Sequence, residues 1–128
     1  MKKSKILIVE DEAELRETWE LMLENFDLSP HTASNGLEAV RIMEEYPVDI
    51  IITDLQMPVK DGFFVLDYIK SNNLDIITWV CTGQISPNAV LANYNVDKIL
   101  LKPFSMLNKV QELISIINKN NANKTKLY

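Results

Sequence analysis

Four short, mainly apolar runs, at residues 5–9, 48–52, 76–81 and 96–101, limit the fold of this chain more than any other feature. Each is bounded by polar or turn residues, as expected of strands buried on both faces of a parallel sheet. The segments between them carry apolar residues at helical spacing: Leu15, Trp19, Met22, Leu23 and Phe26; Leu37, Val40 and Met43; Phe63, Leu66 and Ile69; and Leu107, Val110, Ile114 and Ile117. A weaker strand at 28–33, marked as an edge strand by Pro30, and a weaker helix at 87–94 complete five strand–helix pairs. Asp11, Asn35, Asp61 and Ser105 stand where N-caps belong, and Ser86-Pro87 forms a cap followed by proline in the first turn. Five such pairs predict an α/β fold, an open, doubly wound five-stranded parallel sheet with helices on both faces.

Composition fits one domain. The chain has 128 residues, 47% hydrophobic and 24% charged, which excludes disordered and fibrous classes. We expect a domain over 1–118, followed at 119–128 by a polar tail or linker stump without an apolar period. The single cysteine, Cys81, allows no internal disulfide, and with one histidine, His31, there is no Cys/His metal cluster; a reducing cytoplasm fits best. The apolar run after the basic N-terminus is too short for a signal peptide, so neither secretion nor a membrane span is expected. A net charge of −5 argues against direct nucleic-acid binding, which needs clustered Lys and Arg.

In a doubly wound sheet, ligands gather at the carboxyl ends of the strands. Those ends carry Glu10, Asp11 and Glu12, then Asp54, Thr82 and Lys102. Carboxylates about 4 Å apart repel by about 4 kcal/mol at an effective dielectric near 20, so such a pocket needs a cation, and hard oxygen donors suit Mg2+ (or Mn2+). Asp54 is the candidate nucleophile towards phosphorus; Lys102 offers a point charge and Thr82 a hydroxyl to the phosphoryl group, with metal held by Asp11 and Glu10. Singly, each residue has a plainer reading: Asp11 and Asp54 as caps, Thr82 as a strand end, Lys102 as a surface charge. Jointly, their placement after successive strands is hard to attribute to chance.

The motifs Ile6-Leu7-Ile8-Val9-Glu10-Asp11-Glu12, Asp54-Leu55-Gln56-Met57-Pro58, Asp61-Gly62, Cys81-Thr82-Gly83 and Lys102-Pro103-Phe104 resemble those of the response-regulator receiver family, over residues from about 5 to 118. The resemblance implies strand order 2-1-3-4-5 in a flavodoxin-like three-layer sandwich and a cis peptide before Pro103. It implies a phosphoacceptor in a two-component phosphorelay rather than an enzyme. Asp54 would take its phosphoryl group from a histidine kinase or phosphotransfer protein. Asp11 and Asp54 would ligate metal, with Glu10 assisting through water and the Gln56 backbone carbonyl as a further ligand. Phosphorylation would switch binding to a downstream protein partner or output domain. The face of helix four, strand five and helix five would serve that partner or a homodimer, to which Val90, Leu91 and Ile99 could contribute.

Three positions depart from the family's common pattern. Glu10 stands where aspartate is also common, Gly83 replaces the more usual alanine and leaves access to Asp54 open, and Ile99 occupies a position that is often aromatic. Rival functions fit less well. A haloacid-dehalogenase-type hydrolase needs an acid two places after its nucleophile, where Gln56 follows Asp54; a flavin phosphate would be repelled by Glu10-Asp11-Glu12; and no glycine-rich nucleotide loop is present. The remaining alternative is a receiver-like adapter that binds partners without phosphorylation. His31, Cys81 and Trp79 are read as surface, core and core.

Overall fold

The computed structural model describes residues 3–83 and 88–126, with side chains to residue 121. Five strands, β1 (Ile6–Val9), β2 (His31–Ala33), β3 (Ile50–Asp54), β4 (Ile77–Thr82) and β5 (Lys98–Leu101), alternate with the helices α1 (Ala13–Glu24), α2 (Gly36–Glu45), α3 (Gly62–Ser71), α4 (Asn88–Leu91) and α5 (Met106–Lys126). The strands form one parallel sheet, as the sequence predicts, in the order β2-β1-β3-β4-β5 that the resemblance implies.

Successive strand residues point to opposite faces, and the core divides accordingly. Ile6, Ile8, Ile50, Ile52, Trp79, Cys81 and Leu100 meet Trp19 and Leu23 of α1 and Val110, Leu113 and Ile117 of α5. On the other face Leu7, Val9 and Ile51 meet Ala39 of α2 and Val65 and Ile69 of α3, while Val80 packs with Leu55, Leu66 and Leu91. Trp79 and Cys81 are buried, as expected, and His31 is half-buried and stacks on Tyr46.

Local sequence explains most boundaries. The side chains of Asn35, Asp61 and Ser105 accept from the backbone N–H groups of Glu38, Phe64 and Asn108. Asp11 is not a cap: α1 starts at Ala13 with Glu12 in the cap position, making no side-chain cap bond. The Asp11 carboxylate instead joins the acids at the sheet edge. The Ser86-Pro87 cap lies outside the described residues. Helices α1 and α3 close through Asp27 and Asn73 in the left-handed region, with Leu28 and Leu74 donating back to Leu23 and Ile69.

Other expectations shift. β2 begins only after Pro30, and Leu28 belongs to the α1 closing turn. Phe26, past the end of α1, and Leu107, in the first turn of α5, are exposed, while Leu113 fills the core in their stead. α5 runs on to Lys126, so the segment read as a tail or linker stump continues the helix. No helix among the described residues is long and apolar enough to cross a membrane.

Candidate phosphoacceptor site

The sheet delivers its chemistry to one edge. Asp54 is the last residue of β3 and Thr82 the last of β4, while Glu10 and Asp11 follow β1 and Lys102 follows β5. Carboxylate oxygens of Glu10, Asp11 and Asp54 lie within 4.8 Å of one another. Glu10 and Asp54 are buried at 3% and 6% exposure, whereas Asp11 is exposed. Above them opens a cleft of about 240 Å3 lined by Asp11, Glu12, Asp54, Gln56, Thr82, Gly83 and Lys102. The structure thus brings together every site residue named from the sequence.

Lys102 supplies the cation facing these acids. Its Nζ donates to Asp54 Oδ2 at 2.7 Å and lies 3.6 Å from Glu10 Oε1. The lysine is anchored through its backbone N–H, which donates to the Thr82 carbonyl at 2.9 Å, and the following Lys102–Pro103 bond is cis, as the resemblance implies. Burial pulls the Lys102 ammonium down, but the hydrogen bond and charge of Asp54, with Glu10 behind it, outweigh burial and hold it above its ordinary value. Glu10 is pushed up to about 7, first by burial and then by the charge of Asp54, against the N–H of Glu12 and the charge of Lys102. Burial dominates this displacement; the excess of negative charge shows in the geometry, where three clustered carboxylates face one ammonium. The donor set is hard oxygen throughout, the chemistry that suits Mg2+.

Two glycines let the backbone close around the site. A Cβ on Gly62 would stand 2.3 Å from the Asp54 carbonyl oxygen, and one on Gly36 would stand 2.6 Å from that of Asp61. At Gly83 a Cβ would meet nothing within 4 Å, consistent with open access. Ile99 is half-buried against Leu55, Leu66, Val80 and Leu91, and the aromatic residues beside this cluster are Phe63 and Tyr94, the latter donating to Asp67 at 2.6 Å. Leu91 is buried rather than part of a surface patch, while Val90 is exposed.

Sequence reasoning overlooked Arg16. Its guanidinium donates to the backbone carbonyls of Glu10 at 2.8 Å and Asp11 at 3.4 Å. An arginine one turn into a helix, just after an acidic loop, was the available signal, but periodicity gives it no weight.

A five-stranded parallel sheet of this order, with three acids, a hydroxyl and a lysine at its carboxyl edge, defines a receiver-type signalling domain. The chain belongs to the response regulator receiver domain family, whose model matches residues 6–118. It is therefore a receiver domain of two-component systems, a class of signalling domains. It is 32% identical to the "Probable transcriptional regulator ycf27" of Porphyra purpurea, over 98% of this chain and 52% of that protein. It is 29% identical to the transcriptional regulatory protein PrrA of Mycobacterium leprae, over 94% of this chain and 53% of that one. The chain thus spans about half the length of these curated relatives. Among solved structures it resembles the receiver domain of AraT from Geobacillus stearothermophilus, with 26% identity, a TM-score of 0.81 and coverage of 97% and 99% of the two chains. It also resembles the response regulator TrrA of Thermotoga maritima in complex with Mg2+ and BeF, with 25% identity, a TM-score of 0.76 and coverage of 89% and 98%.

Proposed function

We propose that this receiver domain accepts a phosphoryl group on Asp54 from a phosphohistidine of a histidine kinase or phosphotransfer protein, and that the aspartyl phosphate switches partner binding. The observation that carries this reading is the contact of Lys102 with buried Asp54 inside the acid cluster. In the transfer, a carboxylate oxygen of Asp54 forms a bond to phosphorus as the bond to the donor imidazole nitrogen breaks, and the imidazole leaves. Lys102 neutralises the incoming phosphoryl oxygens, and Thr82, at the lip of the cleft, offers its hydroxyl to them. Glu10, Asp11, Asp54 and the Gln56 backbone carbonyl would hold Mg2+ or Mn2+, which supplies charge neutralisation for the phosphoryl group when bound. The resemblance to a regulator solved with Mg2+ and BeF supports that choice of ion.

The product carries about −1.5 to −2 charge units where a carboxylate stood, enough to draw Thr82 and Lys102 inward and bias a pre-existing equilibrium of α4, β5 and α5. Val90 on α4, Leu101 on β5 and Leu107 on α5 are exposed apolar residues, which supports this face as the surface for a protein partner, an output domain or a second copy. The net charge of −5 supports an output that does not run through direct nucleic-acid contact by this domain, and a cytoplasmic setting suits its single buried thiol. The test is intact mass after incubation with acetyl phosphate and Mg2+, beside Asp54→Asn and a sample with chelator. Gain of one phosphoryl group in the first sample alone is expected. No gain in any sample, with the protein folded, would favour an adapter that works without phosphorylation.

A further inference from the structure

The loop between β1 and α1 holds three consecutive acids, Glu10, Asp11 and Glu12, and must keep two of their carboxylates turned towards Asp54. Several bonds fix it. The Glu10 N–H donates to the Ala33 carbonyl at 3.0 Å, and the Glu10 carboxylate accepts from the Glu12 N–H at 3.1 Å. The helix that follows lacks a side-chain cap, so the Glu12 carboxylate does not secure the turn from strand to helix. Half-buried Arg16 reaches back from the first turn of α1 and donates from one nitrogen to the carbonyls of both Glu10 and Asp11. Its own N–H donates to the Glu12 carbonyl, so Arg16 engages all three residues of the acidic loop.

We propose that Arg16 is a positioning residue for the metal-binding acids: by holding the Glu10 and Asp11 carbonyls it fixes the backbone from which their carboxylates reach the cluster with Asp54. This rests on the phosphoacceptor reading above and deepens it. Arg16 touches no carboxylate of the cluster and no reacting atom; it acts through the loop.

The sign of the effect separates positioning from simple electrostatics. Removing a positive charge near a cation site favours cation binding, whereas releasing the loop that presents the ligands weakens it. The experiment is calorimetric titration of the full chain with Mg2+, comparing wild type with Arg16→Met and Arg16→Lys, with circular dichroism to confirm the fold. If positioning governs, Arg16→Met raises the Mg2+ dissociation constant about tenfold, the low end for ligand-orienting contacts. Arg16→Lys, which keeps a donor within reach of a carbonyl, falls between. The phosphorylation rate of Arg16→Met with acetyl phosphate then needs more Mg2+ to reach half its maximum but approaches the wild-type maximum at saturation.

Unchanged or tighter Mg2+ binding by folded Arg16→Met would overturn the inference while leaving the phosphoacceptor reading intact. Wild-type protein that binds no Mg2+ would overturn both. Should Arg16→Met fail to fold, Arg16→Gln, which keeps an amide donor without the charge, takes its place under the same comparison.

Discussion

The Nζ of Lys102 stands between two buried carboxylates, 2.7 Å from Oδ2 of Asp54 and 3.6 Å from Oε1 of Glu10. Removing it leaves an acid cluster without its neighbouring ammonium. Lys102→Met is therefore expected to destabilise the metal-free chain near neutral pH by about 1–2 kcal/mol, below the cost of breaking a fully buried pair because the lysine is 30% exposed. Urea unfolding in chelator measures this; equal midpoints would mean that the contact contributes nothing to the fold. The same variant should accept a phosphoryl group from acetyl phosphate more slowly than wild type.

Metal should act on the same excess of charge. Mg2+ is expected to raise the melting temperature, since a ligand at a hundred times its dissociation constant stabilises the folded state by about 2.7 kcal/mol. Asp54→Asn removes one of the three acids and should blunt that rise. A melting temperature indifferent to Mg2+ in wild type would argue against a metal site.

Gly62→Ala and Gly83→Ala should behave oppositely. The first drives a methyl group to within 2.3 Å of the Asp54 carbonyl and 2.7 Å of the Leu55 Cα, both backbone atoms, and should cost about 3 kcal/mol or more. The second meets open space and should change stability by less than about 0.5 kcal/mol. Chemical denaturation of the two variants checks the contrast.

The contrast between these glycines also marks what the sequence could reveal. Mainly apolar runs make the strands legible, because burial on both faces leaves few polar positions, and the acids, Thr82 and Lys102 are legible because a parallel sheet sends every strand's carboxyl end to one edge. Strand ends were not: Asp54 and Thr82 are polar yet still pair in the ladder, with Asp54 opposite Cys81 and Thr82 opposite Leu101. Asp11 has the chemistry of a cap and of a member of an acid cluster, and the fold places it in the cluster. The helical segment beyond 118 lacks an apolar period, which reports a buried stripe and not the backbone hydrogen bonds that continue α5. Arg16 was missed because its partners are carbonyls, which no side-chain pattern encodes.

Val59, in the loop after Asp54, is a β-branched residue at φ 70° and is 71% exposed, so no packing offsets its left-handed backbone. Val59→Asn should stabilise the protein by about 1 kcal/mol, since asparagine adopts this region more readily. A higher urea midpoint is expected; a lower one would show that the valine side chain contributes packing.

Burial, with the charge of Asp54 adding to it, pushes the Cys81 thiol from an ordinary 9.0 up to about 12. The fold favours the neutral thiol, so this contribution to stability is fully present below pH 9.0 and is lost as pH rises towards 12. Native protein at pH 8 should resist iodoacetamide, and urea-unfolded protein should react. Rapid native alkylation would show that β4 opens readily.

Asp54 is the nucleophile towards phosphorus in the proposed transfer, and the most direct measurement locates the modification itself. After treatment with acetyl phosphate and Mg2+, borohydride reduction converts an aspartyl phosphate to homoserine, and peptide mass mapping finds the altered residue. Conversion at position 54 alone, dependent on Mg2+, is expected. Conversion at Asp11 or another acid with position 54 untouched, or no conversion in folded protein, would contradict it.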